Sequence, residues 1–361
     1  MSVTAKLLKV QAALPQDIDC AIITFGISQR YITGFDFQDG YVLVGHDWCV
    51  LLTDSRYIEA ANEHAAKSGL DITVDTMKGS FAAILDGYFT EHGVKTVGFE
   101  ETRLSVERHD WLEKEIGQRR LVPLGGAVEE CRIRKDRDEM DAMICAQRIA
   151  ESALEHIYGW ITPEKTEKEV ALELEFYMRS HGAERSAFDV IAVSGSASSR
   201  PHGVPRDVKH EKGFLTMDFG AVYDGYLSDM TRTICLGRAT DEMKKVYNTV
   251  LEAQLAAIDA IKIGADMGEI DAVARKVIGD AGYGEYFGHG LGLGVGMEIH
   301  EAPGLSGRYR GKQLEAGHVI TCEPGIYLEG RFGVRIEDMG AAADNGYEDF
   351  TLAKKELIEI F

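Results

Sequence analysis

The stretch FLTMDFGAVYDGYLSDMTRT, residues 214–233, determines the fold of the carboxyl-terminal part of the chain. Two strand-like runs flank the turn residues Tyr223–Gly225, a pattern that is typical of a β-hairpin. A turn centred between residues 223 and 224 places Asp218 opposite Asp229 on one face of the hairpin, with Cβ atoms roughly 5 Å apart. Because opposed like charges destabilise a sheet, the pattern predicts that something neutralises them.

A second stretch with the same arrangement, TCEPGIYLEGRFGVRIED, occupies residues 321–338. A turn centred on Gly330 pairs Glu323 with Glu337, so a second hairpin also carries two opposed acids. A single acid in a strand usually lies at a solvated end, but two independent hairpins with opposed acids favour a shared function. Four converging carboxylates are suited to one or two divalent cations about 3.5 to 4 Å apart.

Three histidines lie in loops rich in glycine or other small residues. His202 follows SGSASSRP at residues 194–201, and His289 and His300 belong to FGHGLGLGVGMEIHEAP, residues 287–303. Each histidine alone is most often a surface or structural residue, so only their combination with the acids indicates a site. The glycine spacing does not indicate phosphate binding, because no helix and no Lys–Ser/Thr pair follow it.

The chain has 361 residues, which at roughly 150 residues per domain indicates two domains. The first part has an α/β pattern, with predicted strands at 21–25, 40–44, 49–53 and 96–99 and predicted helices at 57–68 and 81–92. The mixed-charge run 129–136 marks the boundary, so we assign residues 1–131 and 132–361 to separate domains. The second part, typical of an α+β domain, combines strands with four predicted helices, at about 137–157, 166–182, 242–262 and 267–281.

The composition excludes several classes of function. The 39 basic and 59 acidic residues give a formal net charge of −20 with histidine neutral, so neither a nucleic-acid nor a membrane partner is expected. No apolar run approaches the roughly 20 residues of a bilayer-spanning helix, and the amino-terminal segment lacks the pattern of a secretory signal. A cytoplasmic protein with reduced thiols is expected, because the six cysteines are scattered and form no CxxC pair.

The two hairpin segments and the histidine segment resemble, in order, the signature segments of the pita-bread metallopeptidases. This superfamily contains methionine aminopeptidase, Xaa-Pro aminopeptidase and prolidase, and the resemblance covers roughly residues 132–361. The segments YITGF at 31–35 and TDSRY at 53–57 resemble the creatinase-type amino-terminal domain of the Xaa-Pro branch. The resemblance therefore implies a creatinase-type α/β domain followed by a pita-bread domain.

The resemblance also implies a role for each candidate residue. Asp218 would bind one metal ion, and Glu323 would bind the other. Asp229 and Glu337 would bridge the two ions. The remaining candidates match family residues around the substrate, with catalytic histidines at His202 and His300 and substrate-binding residues at His289 and Arg335.

One position departs from the family pattern. The family has a metal-binding histidine seven residues before the histidine that corresponds to His300, and this chain has Leu293 there. His289 lies four residues further back, and four residues of extended chain span about 13 Å, so we do not expect it to replace the missing ligand. A divalent metal cofactor of one or two ions is expected from the family pattern, with manganese first and zinc, cobalt or magnesium as alternatives.

Three functions are consistent with these residues. The leading hypothesis is a cytoplasmic, homodimeric, metal-dependent aminopeptidase or dipeptidase that hydrolyses short peptides with proline in the second position. In this hypothesis Glu323 transfers the proton, and His300 or His202 stabilises the oxyanion. The second hypothesis is a pseudoenzyme with weakened or lost metal binding that acts as a peptide-binding or regulatory protein. The third, a metal-free hydrolase such as creatinase, is disfavoured because four carboxylates without metal would form a buried like-charge cluster.

Overall fold

The computed structural model describes residues 2–361 and divides into two compact units, the first ending at Arg132 and the second spanning Ile133–Phe361. Both units combine helices with β-sheets, which confirms the predicted α/β class. Along the described chain no helix is both long enough and apolar enough to cross a membrane.

Helices and strands alternate along the first unit. Its elements are α1 Val3–Ala13, β1 Cys20–Ile23, α2 Gly26–Thr33, β2 Gly40–Gly45, β3 Cys49–Thr53, α3 Ile58–Ser68, β4 Thr73–Thr76, α4 Phe81–Glu91, β5 Thr96–Phe99, α5 Val106–Glu115, β6 Arg120–Pro123 and α6 Ala127–Ile133. The six strands form one sheet in the order β4-β3-β2-β1-β5-β6. The two central pairings, β1 with β2 and β2 with β3, are antiparallel and the outer ones are parallel.

The predicted strands 49–53 and 96–99 are confirmed at their predicted bounds. The strand predicted over 21–25 ends earlier, at Ile23. The buried Glu100 carboxylate accepts hydrogen bonds from the backbone N–H groups of Thr24 and Phe25, both at 3.0 Å, and α2 begins at the next residue. A side chain distant in sequence thus satisfies these two donors in place of a sheet partner.

The second unit contains two pairs of long helices and most of the strands. Its elements are α7 Arg137–Trp160, α8 Glu167–Ser180, β7 Ile191–Ser194, β8 Gly213–Phe219, β9 Val222–Tyr223, β10 Tyr226–Leu227, β11 Met230–Leu236, α9 Asp241–Ala260, α10 Met267–Asp280, β12 Gly292–Gly294, β13 Glu301–Leu305, β14 Val319–Cys322, β15 Gly325–Leu328, β16 Phe332–Arg335, β17 Asp338–Ala343, β18 Gly346–Asp349 and β19 Glu359–Ile360.

Each helix pair packs against one sheet of this unit. Helices α7 and α8 share an apolar core with the sheet β19-β11-β8-β7, and α9 and α10 share another with the sheet β13-β12-β14-β17-β18 and the hairpin β15–β16. A capping box begins α8, because Thr166 and Glu169 exchange side-chain hydrogen bonds with each other's backbone N–H groups. The strands that carry the candidate acids are therefore held from behind by packed helices.

The predicted register of the first hairpin is wrong by two residues. Strands β8 and β11 pair Asp218 with Thr231, not with Asp229, and Tyr223 pairs with Tyr226. The two central turn residues are Asp224 and Gly225, with φ values of 48° and 78°, as a two-residue turn of type I′ requires. A shift of two residues leaves every side chain on its predicted face, so Asp218 and Asp229 still meet.

The predicted register of the second hairpin is confirmed. Gly325 pairs with Arg335 in the β15–β16 ladder, and Cys322 pairs with Asp338 in the β14–β17 ladder. Gly330 at the turn has a φ of 70°, which a glycine adopts without strain. These two pairs bracket residues 323 and 337, which therefore lie opposite each other.

Candidate active site

One cavity of about 1590 Å³ in the second unit collects every residue that the sequence singled out. Its walls include residues of α10, β8, β12, β13 and β16, together with the loops that precede β8, β11, β15 and β17. The predicted residues that line it are His202, Asp218, Asp229, His289, Leu293, His300, Glu323, Arg335 and Glu337.

Three of the four predicted acids form a tight group. Carboxylate oxygens of Asp218, Asp229 and Glu337 lie within 4.8 Å of one another. The two hairpins meet here through an isolated antiparallel bridge between Thr231 and Glu337, in which the Thr231 hydroxyl donates to Glu337 Oε2 at 2.7 Å. Glu323 is not a member of this group. Its Oε1 instead accepts a hydrogen bond from the Thr321 hydroxyl at 3.2 Å.

The acids strongly perturb one another. Burial raises the pKa of Asp229 well above its usual range, and the charges of Asp218 and Glu323 add to this effect. Burial likewise raises the pKa of Glu337, with the Asp229 charge next in importance. Burial raises the pKa of Glu323 to about 8, although the Arg335 guanidinium opposes the change. Without a cation, this group would therefore hold protons near neutral pH.

The donor set fits a divalent cation. The Oδ1 atom of Asp218 is buried and accepts no hydrogen bond within the described chain. Such an orphaned acceptor is costly unless a cation or water satisfies it. Asp229 and Glu337, which are 5% and 2% exposed, present carboxylate oxygens to the same point. Oxygen ligands of this kind suit hard cations such as Mn²⁺ and Mg²⁺.

Arg335 is buried against the acids and partly balances their charge. Its Nη2 lies 2.5 Å from Asp218 Oδ2, and its Nε donates to the Thr231 hydroxyl at 3.0 Å. Its Nη1 donates to the Tyr327 hydroxyl at 2.9 Å. Arg335 therefore orients Asp218 and leaves the other oxygen of that carboxylate free for a cation.

Tyr327 is a residue of the site that the sequence analysis missed. Its hydroxyl accepts from Arg335 and lies 2.9 Å from His289 Nε2, so it donates its proton to that ring nitrogen. Burial raises the pKa of Tyr327 to about 12, which keeps the hydroxyl protonated. The available signal was spacing: Tyr327 lies four residues after Glu323 in an extended segment, and even spacing places side chains on one face.

His289 is fixed in one neutral form by these contacts. Its Nδ1 lies 2.8 Å from the Gly290 carbonyl and must donate, so its Nε2 accepts from Tyr327. Burial lowers the pKa of His289 to about 4, and the neighbouring Arg335 charge acts in the same direction. A ring held at both nitrogens is not available as a metal ligand.

His202 and His300 also line this cavity. Both are exposed, and neither has a hydrogen bond or ion pair with another described residue. Their imidazole nitrogens are therefore free to contact a bound molecule. This differs from His289, whose two nitrogens are occupied by Gly290 and Tyr327.

Leu293 lies on the same face as Glu323. Gly294 pairs with Ile320 across β12 and β14, which places Leu293 opposite Thr321. The Leu293 N–H donates to Thr321 Oγ1 at 3.1 Å, and the same hydroxyl donates to Glu323. In an antiparallel ladder, residues opposite each other and residues two apart share a face. Leu293 is therefore the residue of β12 that lines the cavity beside Glu323, and its side chain is apolar.

This combination of an α/β unit with a carboxylate centre built from two hairpins defines a metal-dependent hydrolase. Residues 141–342 match the sequence model of metallopeptidase family M24, and residues 7–134 match that of the creatinase/prolidase N-terminal domain. The chain therefore belongs to metallopeptidase family M24. The predicted combination of a creatinase-type domain and a pita-bread domain is confirmed.

Relatives cover almost the whole chain. The Xaa-Pro dipeptidase of Pyrococcus horikoshii is 37% identical over 343 residues, which are 94% of this chain and 95% of that protein. The solved structure of an Xaa-Pro dipeptidase from Bacillus anthracis matches with a TM-score of 0.94 and 40% identity, covering 99% of this chain and 100% of that one. The X-Pro aminopeptidase of Thermotoga maritima matches with a TM-score of 0.90 and 36% identity, covering 95% and 98%. The family assignment makes the chain a metallopeptidase, and the pseudoenzyme hypothesis has no support among these relatives.

Proposed function

We propose that this chain is an Xaa-Pro aminopeptidase or dipeptidase, which hydrolyses short peptides with proline in the second position. The observation that carries the proposal is the meeting of the carboxylate centre with two unpartnered histidines, His202 and His300, in one cavity. The relatives of this chain include Xaa-Pro dipeptidases from Pyrococcus horikoshii and Bacillus anthracis, which supports this choice of substrate.

Asp218, Asp229 and Glu337 would hold the divalent cation. When bound, the cation would supply a Lewis acid that activates water and polarises the peptide carbonyl. Manganese is the first candidate and magnesium, cobalt and zinc are alternatives, because the ligands are all carboxylate oxygens.

Glu323 is proposed to move the proton. Thr321 donates to Oε1, and the second carboxylate oxygen would take a proton from water and return it to the leaving amine. Thr321 also fixes the carboxyl in the orientation that such a transfer needs.

His202 and His300 are proposed to bind the reacting carbonyl. Both rings are exposed in the cavity wall and have free nitrogens. A ring N–H aimed at the carbonyl oxygen would stabilise the negative charge that develops there. Arg335 and His289 are proposed to orient the substrate pocket through Tyr327, which contacts both.

We also propose a cytoplasmic homodimer without a nucleic-acid or membrane partner. The six cysteines are free, five of them buried, as expected for reduced thiols. The formal net charge of −20 supports the absence of a polyanionic partner. Sedimentation of the purified chain would report whether it forms a dimer.

A substrate comparison tests the proposed function. Metal-loaded protein should hydrolyse Ala-Pro and Ala-Pro-Ala much faster than Ala-Ala and Ala-Ala-Ala, and a chelator should stop the reaction. The Glu337→Gln variant, which removes a proposed ligand, should be inactive at every metal concentration. Equal rates on the proline and alanine series would contradict the proposed specificity, and activity that survives complete chelation would contradict the metal dependence.

A further inference from the structure

We propose that the site of this chain holds a single divalent ion, bound by Asp218, Asp229 and Glu337, and that the position next to Glu323 holds none. This inference rests on the proposed metal-dependent function and specifies its metal centre. Among the described residues, these three ligands form the only group of three or more histidine, cysteine or acidic side chains whose donor atoms lie within 4.8 Å of one another. Asp218 contributes a buried oxygen with no other partner.

The surroundings of Glu323 lack donors for a second ion. Leu293 and Thr321 lie on its face of the sheet, and the Thr321 hydroxyl already donates to Glu323 Oε1. Leu293 offers only carbon atoms. An ion at this position would have Glu323 and shared oxygens of the bridging acids as its protein ligands, and this is a poor set for a cation that takes about six.

His289 cannot supply the missing donor without breaking two contacts. Its Nε2 accepts from Tyr327 at 2.9 Å and its Nδ1 donates to Gly290 at 2.8 Å. Tyr327 is in turn held by Arg335, which is buried and bound to Asp218. Turning the His289 ring toward Glu323 would leave the Tyr327 hydroxyl without its acceptor inside the protein.

Metal stoichiometry and electron paramagnetic resonance test the inference directly. Purified protein is saturated with Mn²⁺, dialysed to equilibrium, and analysed for bound manganese per chain. The expected result is one Mn²⁺ per chain with the spectrum of an isolated ion. Two bound ions, or a spectrum of an exchange-coupled pair, would overturn the inference, and so would the absence of any bound ion.

Variants distinguish the metal position at Asp218, Asp229 and Glu337 from the position next to Glu323. Leu293→His should raise the stoichiometry from one to two and produce the coupled spectrum, whereas Leu293→Val, the matched apolar control, should still bind one. Glu323→Gln should keep the single ion, and Glu337→Gln should lose it. Loss of the ion in Glu323→Gln would overturn the inference even if Leu293→His does not fold.

The outcome is independent of the proposed substrate. One bound ion in a chain that fails to hydrolyse Xaa-Pro peptides would support this inference and contradict the proposed function. Two bound ions in a chain that hydrolyses Xaa-Pro peptides would contradict this inference and support the proposed function.

Discussion

Thr231 and Glu337 join the two hairpins at the centre of the site. The Thr231 hydroxyl donates to Glu337 Oε2 at 2.7 Å, and the Glu337 N–H donates to Thr231 O at 3.1 Å. The same hydroxyl oxygen accepts from Arg335 Nε at 3.0 Å. One buried threonine therefore orients a proposed metal ligand and the neighbouring guanidinium together. Residues of this kind commonly decide how well a ligand is aimed at its ion.

The variant Thr231→Val should weaken metal binding while it keeps the shape of the side chain. It leaves Arg335 Nε without its acceptor and frees the Glu337 carboxylate to turn. Loss of such a supporting contact typically lowers metal affinity by about 10- to 100-fold. A titration with Mn²⁺ followed by calorimetry measures the change. Thr231→Ser retains the hydroxyl and should bind like the parent, so equal affinities in all three proteins would contradict the role of Thr231.

Stability of the metal-free chain should depend on Glu323 and pH. Burial raises the pKa of Glu323 from 4.5 to about 8, so the folded state binds a proton that the unfolded state releases between these values. The contribution of Glu323 to the free energy of unfolding should therefore fall as the pH rises from about 4.5 to about 8 and stay level above this window.

Urea denaturation of the parent and of Glu323→Gln over this pH range measures the effect. As the pH rises, the free energy of unfolding of the parent should fall relative to that of Glu323→Gln. Saturating Mn²⁺ should reduce this dependence of the free-energy difference on pH, because a bound cation favours the charged carboxyl. A difference that does not change with pH in the chelated proteins would refute the raised pKa.

The variant Tyr327→Phe should lower turnover without changing the number of bound ions. It removes the hydroxyl that accepts from Arg335 and donates to His289, at 2.9 Å in both cases. A hydrogen bond to a charged group is worth about 1.5 to 3 kcal/mol, so kcat/KM should fall by roughly 10- to 100-fold. Tyr223→Phe, at the exposed hairpin turn, is the control.

The nitrogen chemical shifts of His289 give a second measure of the Tyr327 contact. In the parent the ring should carry its proton on Nδ1, because the Gly290 carbonyl accepts there. In Tyr327→Phe the Nε2 shift should change, since its donor is lost. Unaltered shifts together with unaltered turnover would show that Tyr327 only fills space.

Much of this site could be predicted from the sequence because the centre of a hairpin turn determines which residues of its two strands pair. The turn centred on Gly330 predicted the register of the second hairpin correctly. The turn at Asp224–Gly225 was predicted one residue too early, so Asp229 was predicted as the partner of Asp218, whereas the partner in the structure is Thr231, two residues later. The positive φ values of both residues decide the turn type, and aspartate adopts such a value far less readily than glycine.

The contacts between the hairpins could not be predicted in the same way. Thr231, Arg335 and Tyr327 interact with residues distant in sequence, for example Thr231 with Glu337, 106 positions away, and Arg335 with Asp218, 117 positions away. Turn rules describe only the pairing within one hairpin. Which hairpin lies beside which is decided by the packing of α7–α8 and α9–α10 behind the sheets, and no local pattern encodes that packing.

Metal selectivity should follow the all-oxygen ligand set. The parent should prefer Mn²⁺ to Zn²⁺ more strongly than Leu293→His does, because an added imidazole favours zinc. Competition dialysis against equal concentrations of the two ions, followed by elemental analysis, measures the ratio in each protein. Tight, stoichiometric zinc in the parent, purified without added metal, would contradict an oxygen-only centre.

The variant Leu293→His should also raise hydrolysis of Xaa-Pro peptides at limiting metal. Its ring would face the cavity beside Glu323, on the face that β12 shares with β14. Leucine and histidine have similar bulk, and Gly292 and Gly294 flank the position, so strain in the variant should be modest.

An added ligand should raise metal affinity by at least roughly tenfold, since even supporting residues contribute that much. The measurement is kcat/KM for Ala-Pro over a Mn²⁺ titration in the parent, Leu293→His and Leu293→Val. The curve of the histidine variant should reach half its maximum at a lower metal concentration, and the valine control should follow the parent. If the histidine variant binds and turns over like the parent, more than one residue of the pocket separates this chain from a two-ion centre. If the parent is already saturated and fully active at the lowest metal concentration, three carboxylates hold the catalytic ion without help from an imidazole.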